Sequence, residues 1–297
     1  MECNELVSVR VVSYNAEQTI LDTLESIKNQ TYRNIELIVS DDCSKDKTVQ
    51  IVREWLAQNE SRFVRTKLLT VDHNTGVCAN MNRALKECEG VWIKGIAADD
   101  ILLPNCVEDY MNFVSNNPNC RFVASLARVY EENFAPENYR STMGDCSHIA
   151  NRLINDQIAM VAFHHTINAP SCFYNKNMLL EIGGYDNKYG YEDHPLYLTI
   201  LENGNALYYM PKETVGYRIH NSTVFDTGRL FKYEFVKQSK KFRKERCFKY
   251  YTCRQKLSMR MTWMCYAFFD FFNLNRNKKA NRFFFRGIMS LIYRFGE

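Results

Sequence analysis

Apolar runs alternate with helical patterns along the first hundred residues of the chain. Between the runs, apolar residues recur at spacings of three and four, as in Ile20, Leu24 and Ile27, which is typical of one face of a helix. Four runs have the length of buried strands and end in polar residues: 6–12, 35–39, part of 64–71, and the start of 91–100. This alternation predicts βαβ units with right-handed crossovers, and therefore an α/β fold with a mostly parallel sheet flanked by helices.

Carboxylate and amide side chains follow three of the four predicted strands. In strand order they are Asn15 and Glu17, Asp41 and Asp42, and Asp99 and Asp100. Because the carboxyl ends of neighbouring parallel strands meet at one edge of a sheet, we expect these side chains to converge in a nucleotide crevice. An adjacent carboxylate pair suits a hard divalent cation, although an Asp pair can equally cap a helix.

No glycine-rich phosphate loop accompanies these strands. Neither GxGxxG nor GxxxxGK[ST] occurs in the chain. The negative charge of a bound diphosphate would therefore have to be met by a cation, which agrees with the carboxylate pair at Asp99 and Asp100.

One stretch interrupts the α/β pattern. Residues 128–155 are polar and contain Pro136 and Gly144, so they are predicted as an irregular excursion over the sheet edge. The excursion either faces an acceptor or is a plain surface insertion, and the sequence favours neither.

The charge of the chain is divided unevenly. Its 38 basic and 34 acidic side chains give a net charge of +4, yet residues 228–297 hold 18 Lys and Arg against 4 Asp and Glu. The same segment holds 18 of the 40 aromatic residues. An acidic body of residues 1–227 therefore carries a basic, aromatic tail, which has to be explained by partners rather than by the fold.

Cysteine spacing and hydropathy indicate the compartment. The 11 cysteines include no CxxC pair and no metal-finger spacing, which favours free thiols in a reducing environment. The first residues form neither a basic nor an apolar signal segment, and no window reaches the roughly 20 apolar residues that cross a bilayer. We therefore expect a cytoplasmic protein.

Three ordered motifs resemble the family 2 glycosyltransferases. They are VSVRVVSYNAE at 7–17, IVSDDCSKDKT at 38–48 and NTG at 74–76. The resemblance covers residues 5 to about 220 and implies a GT-A fold, with residues 1–227 as the glycosyltransferase domain and 228–297 as a C-terminal helical extension. It also implies an inverting hexosyltransferase that uses a nucleotide-diphosphate sugar, UDP-sugar above all, with Mg²⁺ or Mn²⁺ as cofactor.

The resemblance implies a pocket for the nucleotide base at the ends of the first two strands. Asp41 would contact the base, and Ser13, Tyr14 and Glu17 would line the same pocket. Cys43 stands where the family's Asp-Asp-Gly-Ser motif has glycine.

The resemblance also implies a cation site beside the diphosphate. Asp99 would be the metal-binding residue of the DxD motif, and Ala97 stands where the first carboxylate of that motif is usual. His220 would complete the metal shell with Asp99, and Arg218 would meet the phosphate charge. A lone histidine after a strand can equally be structural, so that alternative stays open.

A second acidic pair occurs at Glu192 and Asp193. Pro195 follows at an early position of a predicted helix, so the pair could simply cap that helix. The segment resembles the family's Glu-Asp motif, in which the Asp is the general base that takes a proton from the acceptor hydroxyl. Asp193 would then be catalytic, with Glu192 on the acceptor side raising the pKa of Asp193 through its like charge.

The tail, residues 228–297, is predicted as amphipathic helices dense in Phe, Tyr, Lys and Arg. Three roles fit it: nucleic-acid binding, contact with an anionic membrane surface, or a helical cap packed on the sheet. The phenylalanines at 268–272 and 283–285 go round a helix, so part of this segment must be buried in protein or lipid. Because family members often act on lipid-linked acceptors, we expect the tail to contact the inner face of the cell membrane and to bind no nucleic acid.

The predicted function is transfer of a sugar to a saccharide or lipid-linked acceptor in the synthesis of a surface polysaccharide such as lipopolysaccharide or capsule. One alternative is a nucleotidyltransferase, against which the missing glycine-rich loop counts. The other is a binding module for nucleotide sugars or nucleic acid without transferase activity, which the basic tail and Ala97 favour.

Overall fold

The computed structural model describes residues 4–219, 229–276 and 278–296. The chain divides into two units, of which the first contains the residues up to 157 and residues 165–218. The second contains residues 158–164 and the chain after residue 218. The predicted domain boundary between residues 227 and 228 lies outside the described residues.

A single nine-stranded sheet forms the centre of the first unit. Its strands are β1 Val7–Ser13, β2 Ile35–Asp41, β3 Arg65–Leu69, β4 Trp92–Ala97, β5 Ile101–Leu102, β6 Phe122–Glu131, β7 Tyr139–Met143, β8 Cys172–Asn175 and β9 Leu207–Ile219. The order across the sheet is β3-β2-β1-β4-β8-β6-β9-β5, and β7 pairs with β6. Strands β3, β2, β1 and β4 are parallel, and the pairing becomes antiparallel at β8. The predicted α/β fold, with the parallel strands in the first hundred residues, is confirmed.

Helices flank the sheet, and their buried apolar residues pack into the core. In the first unit they are α1 Ile20–Lys28, α2 Thr48–Asn59, α3 Val77–Glu87, α4 Cys106–Ser115, α5 Ser147–Ala150, α7 Lys176–Glu181 and α8 Asp193–Glu202, together with the start of α6 Ile154–Phe163. In α1, Ile20, Leu24 and Ile27 are fully buried, as their spacing predicts. They join a core that includes Val9 and Leu37 from the strands.

The register of the parallel strands decides where the polar loops meet. Ser13, the last residue of β1, lies opposite Asp41, the last residue of β2. On the other side of β1, Val12 lies opposite Ala97, the last residue of β4. The loops after β1, β2 and β4 therefore leave the sheet at one edge, where open α/β sheets bind their ligands.

The stretch at 128–155 is more regular than its sequence indicates. Strand β7 pairs antiparallel with β6 from Ala127 to Tyr130, so the prediction of an irregular excursion was wrong for this part. Four of the five residues of β7 are exposed. A short edge strand without a buried face lacks the alternating pattern that identifies strands in a sequence.

The second unit is helical. It contains the end of α6, α9 Tyr233–Phe242, a π-turn at Arg243–Cys247, and the two long helices α10 Cys253–Phe271 and α11 Lys279–Gly296. Helices α10 and α11 pack around a small core of Cys265, Phe269, Met289 and Ile292. Among the residues described by the structure, no helix has the length and apolar character needed to cross a membrane.

Candidate active site

Asp41 is held in a fixed position at the end of β2. Its carboxylate accepts hydrogen bonds from the Ser13 hydroxyl at 2.9 Å and from the Ser44 backbone N–H and hydroxyl at 2.8 and 2.5 Å. Asp41 is 1% exposed and Ser13 is 3% exposed. Because their polar groups satisfy one another, burial costs little and the carboxylate cannot swing away from the strand end.

The loop after β1 is tied to the loop after β2. Asn15 donates its backbone N–H to the Ser44 hydroxyl at 2.8 Å, and its side-chain oxygen accepts from the Lys45 backbone N–H at 2.8 Å. Tyr14, just before Asn15, is 50% exposed. About half of the Tyr14 side chain is therefore accessible to a planar ligand.

Glu17 forms a second crosslink between the same loops. Its backbone N–H donates to the Asp46 carboxylate at 3.1 Å, and its own carboxylate accepts from the Lys47 backbone N–H at 3.0 Å. Burial raises the pKa of Asp46, but hydrogen bonds from the hydroxyl and backbone N–H of Thr48 outweigh it, so this pKa lies below its ordinary value. The predicted pocket residues of these two loops thus form one connected structure.

Cys43 adopts a backbone conformation that favours glycine. Its φ is +69°, in the left-handed region. Asn15 in the loop after β1 also has a positive φ, and Asn tolerates this conformation better than Cys does. The thiol donates to the Asp72 carbonyl at 3.2 Å and lies 2.9 Å from the Lys45 ammonium. Cys43 therefore keeps a turn in which glycine would be the less strained residue.

Asp42 joins a third loop to the first two. Its backbone N–H donates to the Ser13 carbonyl at 3.0 Å. Its carboxylate accepts from the backbone and hydroxyl of Thr75, from the Gly76 N–H and from Arg83. Burial raises the pKa of Asp42, but hydrogen bonds from Thr75, Arg83 and Gly76 outweigh it and lower this pKa. The second Asp of the pair is therefore an anchor, and the contact of Asp41 with a nucleotide base stays a prediction.

The turn after β4 separates its two adjacent carboxylates. Asp100 is 2% exposed, and its carboxylate accepts the Arg218 backbone N–H at 2.9 Å. Burial, followed by the charge of Asp99, raises the pKa of Asp100 well above its ordinary value. Asp99 is only partly buried. Of the two, Asp99 is the more accessible carboxylate, and its predicted binding of a cation at the DxD position stays a prediction.

Arg218 braces this turn from the end of β9. Its guanidinium donates to the Asp99 carbonyl at 2.8 Å, to the Glu132 carbonyl at 3.1 Å and to the Asp22 carboxylate at 2.6 Å. The same group lies 4.4 Å from the centre of the Phe134 ring, and Arg218 is 5% exposed. Its predicted contact with donor phosphate stays a prediction, while these contacts give it a positioning role.

Glu192 and Asp193 lie at the N-terminus of α8. Asp193 is the first residue of the helix, and its carboxylate accepts the His194 backbone N–H at 2.6 Å, which fixes its orientation. Burial, followed by the charge of Asp193, raises the pKa of Glu192 to about 7. The pair therefore combines a carboxylate and a group that holds a proton near neutral pH.

Tyr217 responds to charges from both acidic pairs. Burial, followed by the charges of Asp100, Asp99 and Glu192, raises the pKa of Tyr217 to about 12. The hydrogen bond from the backbone of its neighbour Arg218 to Asp100 places Tyr217 at the turn after β4. The phenol is therefore within electrostatic reach of both acidic pairs. Tyr217 was not identified from the sequence, and a common site for Asp99 and Asp193 stays a prediction.

A buried arginine, Arg10, acts on this site from the middle of β1. Arg10, 1% exposed in the middle of β1, donates to the Tyr185 hydroxyl at 2.7 Å and to the Met81 carbonyl at 3.2 Å. Tyr185 is held through its backbone, which exchanges hydrogen bonds of 2.7 and 2.8 Å with the Asn82 amide. The positive charge of Arg10 acts to lower the pKa of Glu192. In the sequence, the indication of this role is a charged residue within a buried, mostly apolar strand.

The predicted metal ligand His220 lies outside the described residues. Within the part of the chain that the structure describes, no group of three or more His, Cys, Asp or Glu side chains is arranged to hold a metal ion. Asp99 therefore offers a single carboxylate, with Ala97 at the end of the preceding strand.

The fold is that of the GT-A glycosyltransferases. It superposes on residues 1–349 of S. aureus TarS in complex with UDP-GlcNAc with a TM-score of 0.59, at 17% identity, over 98% of this chain and 72% of that chain. It superposes on the mannosyltransferase PcManGT from Pyrobaculum calidifontis, in complex with GDP-Man and Mn²⁺, with a TM-score of 0.55, at 21% identity, over 72% and 57% of the two chains.

Sequence comparison identifies the family. Residues 8–181, more than half of the chain, match the profile described as glycosyl transferase family 2, so the chain belongs to that family. It is 29% identical to an uncharacterized glycosyltransferase of Haemophilus influenzae, over 82% of this chain and 74% of that protein. It is 28% identical to the UDP-Glc:alpha-D-GlcNAc-diphosphoundecaprenol beta-1,3-glucosyltransferase WfaP of Escherichia coli, over 79% and 84% of the two chains. Matches to some further relatives span 46% and 48% of their length.

Proposed function

We propose that this chain transfers a hexose from a UDP-sugar to a hydroxyl group of a saccharide or lipid-linked acceptor, with inversion, in the synthesis of a surface polysaccharide. The observation that carries the proposal is that the loops after β1, β2 and β4 leave the sheet at one edge, where Arg218 is hydrogen-bonded to the Asp99–Asp100 turn. The charges of Asp99 and Glu192, with Asp193 next to Glu192, both act on the neighbouring Tyr217. A relative whose name specifies UDP-Glc supports the donor, and a structural neighbour in complex with UDP-GlcNAc supports the nucleotide.

The donor's base would bind between the loops after β1 and β2. Asp41, fixed by Ser13 and Ser44, would accept a hydrogen bond from an N–H of the base, and a uracil ring offers one such donor. The exposed ring of Tyr14 would stack on the base. Glu17 would keep the pocket closed by holding the two loops together.

The diphosphate would lie beside the Asp99 turn. Mg²⁺ commonly binds through one or two carboxylates together with substrate phosphates, so a single partly buried Asp99 fits such an ion. Asp99 would hold Mg²⁺ or Mn²⁺, with His220 as the second expected ligand. The bound cation would supply positive charge where the leaving diphosphate develops negative charge. The Mn²⁺ in the structurally similar mannosyltransferase supports this choice of cofactor.

The acceptor would approach from the α8 side of the site. Asp193 would take the proton from the acceptor hydroxyl while the hydroxyl oxygen attacks the anomeric carbon and the diphosphate leaves from the opposite face. A positioned base contributes roughly 10²–10⁴-fold to the rate. The His194 backbone N–H orients the Asp193 carboxylate, and Glu192 beside it would contact the acceptor.

We further propose residues 1–227 as the catalytic domain and the tail, 228–297, as its contact with the inner face of the cell membrane, which makes the enzyme cytoplasmic and peripheral. The diphosphoundecaprenol in the name of the E. coli relative supports a lipid-linked acceptor, as in lipopolysaccharide or capsule synthesis. A lipid-linked substrate requires an enzyme at the membrane surface.

A screen of UDP-sugars, with and without Mn²⁺, would test the donor. A ligand at about 100 times its Kd stabilises the folded chain by roughly 2.7 kcal/mol, which is readily visible as a rise in melting temperature. The identified donor is then incubated with acceptor, and Asp193→Asn is compared with the unchanged protein. We expect transfer to fall about a thousandfold while stabilisation by the donor persists. Equal turnover would rule out Asp193 as the base, and release of pyrophosphate from UTP and a sugar 1-phosphate would indicate a nucleotidyltransferase.

A further inference from the structure

One side of helix α10 is apolar and yet exposed. Six large apolar side chains, exposed by 38% to 83%, follow one another at spacings of one, three or four: Leu257, Met261, Met264, Phe268, Phe271 and Phe272. A parallel stripe of the same helix, Ser258, Thr262, Cys265 and Phe269, is buried within the second unit. An ordinary surface helix buries its single apolar face, so an additional exposed apolar stripe requires a further apolar environment.

Helix α11 extends the same surface. Its exposed apolar side chains are Phe283 (82%), Phe284 (54%), Leu291 (68%) and Phe295 (40%). The two helices pack together, and Arg254 at the start of α10 lies 5.1 Å from the centre of the Phe295 ring. At the other end of the pair, the rings of Phe284 and Phe269 are 5.8 Å apart. The Phe269 ring in turn lies 6.0 Å from the ring of Phe268 in the exposed stripe of α10. The exposed apolar side chains of the two helices therefore form one surface, here called the hairpin face.

The charge around the hairpin face has one sign. Residues 253–296 contain nine Lys and Arg and a single acidic residue, Asp270. Arg260 is exposed on α10, and Arg286 and Arg294 are exposed on α11. An apolar surface bordered by arginines matches the boundary between the acyl chains and the phosphates of a bilayer. A second protein would cover the phenylalanines equally well but would leave the basic border without a function.

We propose that the hairpin face inserts into the surface of an anionic phospholipid bilayer, with its phenylalanines among the acyl chains and its arginines among the phosphates. The inference rests on the proposed function and deepens it, because it assigns membrane contact to α10 and α11 lying in the plane of the membrane. Each basic residue near an anionic surface strengthens binding by roughly fivefold, and each phenylalanine that enters the acyl region by about tenfold or more.

The test is co-sedimentation of the full chain with vesicles of phosphatidylcholine alone or mixed with phosphatidylglycerol. We expect binding to the mixed vesicles that weakens in high salt. The triple variant Phe268→Ser, Phe271→Ser and Phe272→Ser should lower the partition coefficient by at least a hundredfold. The pair Arg286→Gln and Arg294→Gln should lower it roughly 25-fold, and only on anionic vesicles. Tyr139→Ser, which alters an exposed aromatic residue of the first unit, is the matched control and should bind as the unchanged chain does.

Three results would overturn the inference: equal binding to neutral and anionic vesicles, unchanged binding of the triple variant, or a dimer in solution that the triple variant converts to monomer. The last result would identify a second copy of the chain as the partner. Stabilisation by the screened UDP-sugars, measured without lipid, reports separately on the proposed function. If no UDP-sugar stabilises the unchanged protein, the proposed enzyme function is contradicted, while the result with vesicles still holds.

Discussion

Asp100 and Arg218 are joined across the site by a hydrogen bond of 2.9 Å from the Arg218 backbone N–H to the Asp100 carboxylate. The Arg218 side chain returns to the same turn and donates to the Asp99 carbonyl. The strand-end carboxylates are therefore positioned by the last strand of the sheet as well as by the strand that carries them.

Replacing Arg218 with Ala should lower the free energy of unfolding by roughly 2–4 kcal/mol, because the Asp99 and Glu132 carbonyls lose a buried donor. Unfolding in urea, followed by circular dichroism, measures the change. The matched control is Arg128→Ala, whose ion pair with Glu213 is partly exposed and should cost less than about 1 kcal/mol. Equal losses in the two variants would contradict the positioning role.

Replacing Asp41 with Asn should weaken UDP binding by roughly 10- to 100-fold, since a hydrogen bond to a charged group is worth about 1.5–3 kcal/mol. Isothermal titration calorimetry gives the Kd directly. Asp72→Asn is the control, because this carboxylate is close to the same loops and 93% exposed, and its UDP affinity should not change. A similar loss in both variants would mean that loop charge, rather than the fixed Asp41 contact, binds the nucleotide.

Glu192 should make the folded state less stable as the pH rises. Its pKa is raised from 4.5 to about 7, so between these pH values the folded chain keeps a proton that the unfolded chain releases. The contribution of Glu192 to stability is complete below pH 4.5 and is lost as the pH rises through 7. Glu192→Gln removes this dependence. The free energy of unfolding of the variant minus that of the unchanged chain should therefore be larger at pH 8 than at pH 5.

The measurement is urea unfolding of both proteins at the two pH values. Glu137→Gln, at an exposed position, serves as the control, and its stability should follow that of the unchanged chain at both pH values. If the difference between Glu192→Gln and the unchanged chain is the same at pH 5 and pH 8, the raised pKa of Glu192 is wrong.

Cys43→Gly should be more stable than Cys43→Ala by about 1 kcal/mol, because both variants lose the thiol but only glycine adopts a φ of +69° without strain. Comparing the two variants, rather than each with the parent, isolates the backbone contribution. Thermal unfolding of both, with and without UDP, would also show whether relaxing this turn changes the adjoining base pocket. Equal stability of the two variants would mean that the turn is not strained.

Strands β1 and β2 could be predicted because they are buried on both faces and rich in Val, Ile and Leu. That the loops carrying Asp41 and Asp99 leave the sheet at one edge followed from the parallel topology. Strand β7 was missed because an exposed edge strand has no buried face to create an alternating pattern.

The supporting residues could not be predicted, since their roles depend on contacts between distant parts of the chain. The anchoring of Asp42 depends on Thr75 and Gly76 in the loop after β3. Arg10 stands out in the sequence only as a charged residue within a buried strand, and Tyr217 has ordinary sequence surroundings. Local patterns therefore predicted the candidate groups for chemistry, whereas the groups that orient them required the three-dimensional fold.

Helix α6 begins in the first unit and ends in the second, where Arg243 and Tyr251 donate to the carbonyls at its C-terminus. Phe163, 5% exposed, packs there against Tyr251 and Tyr293. A fragment that ends at residue 218 would keep the last turns of α6, but their carbonyls and the Phe163 ring would lose these contacts and become exposed. Such a fragment would be prone to aggregate. A shortened catalytic fragment is therefore expected to be insoluble unless the downstream helices are co-expressed with it.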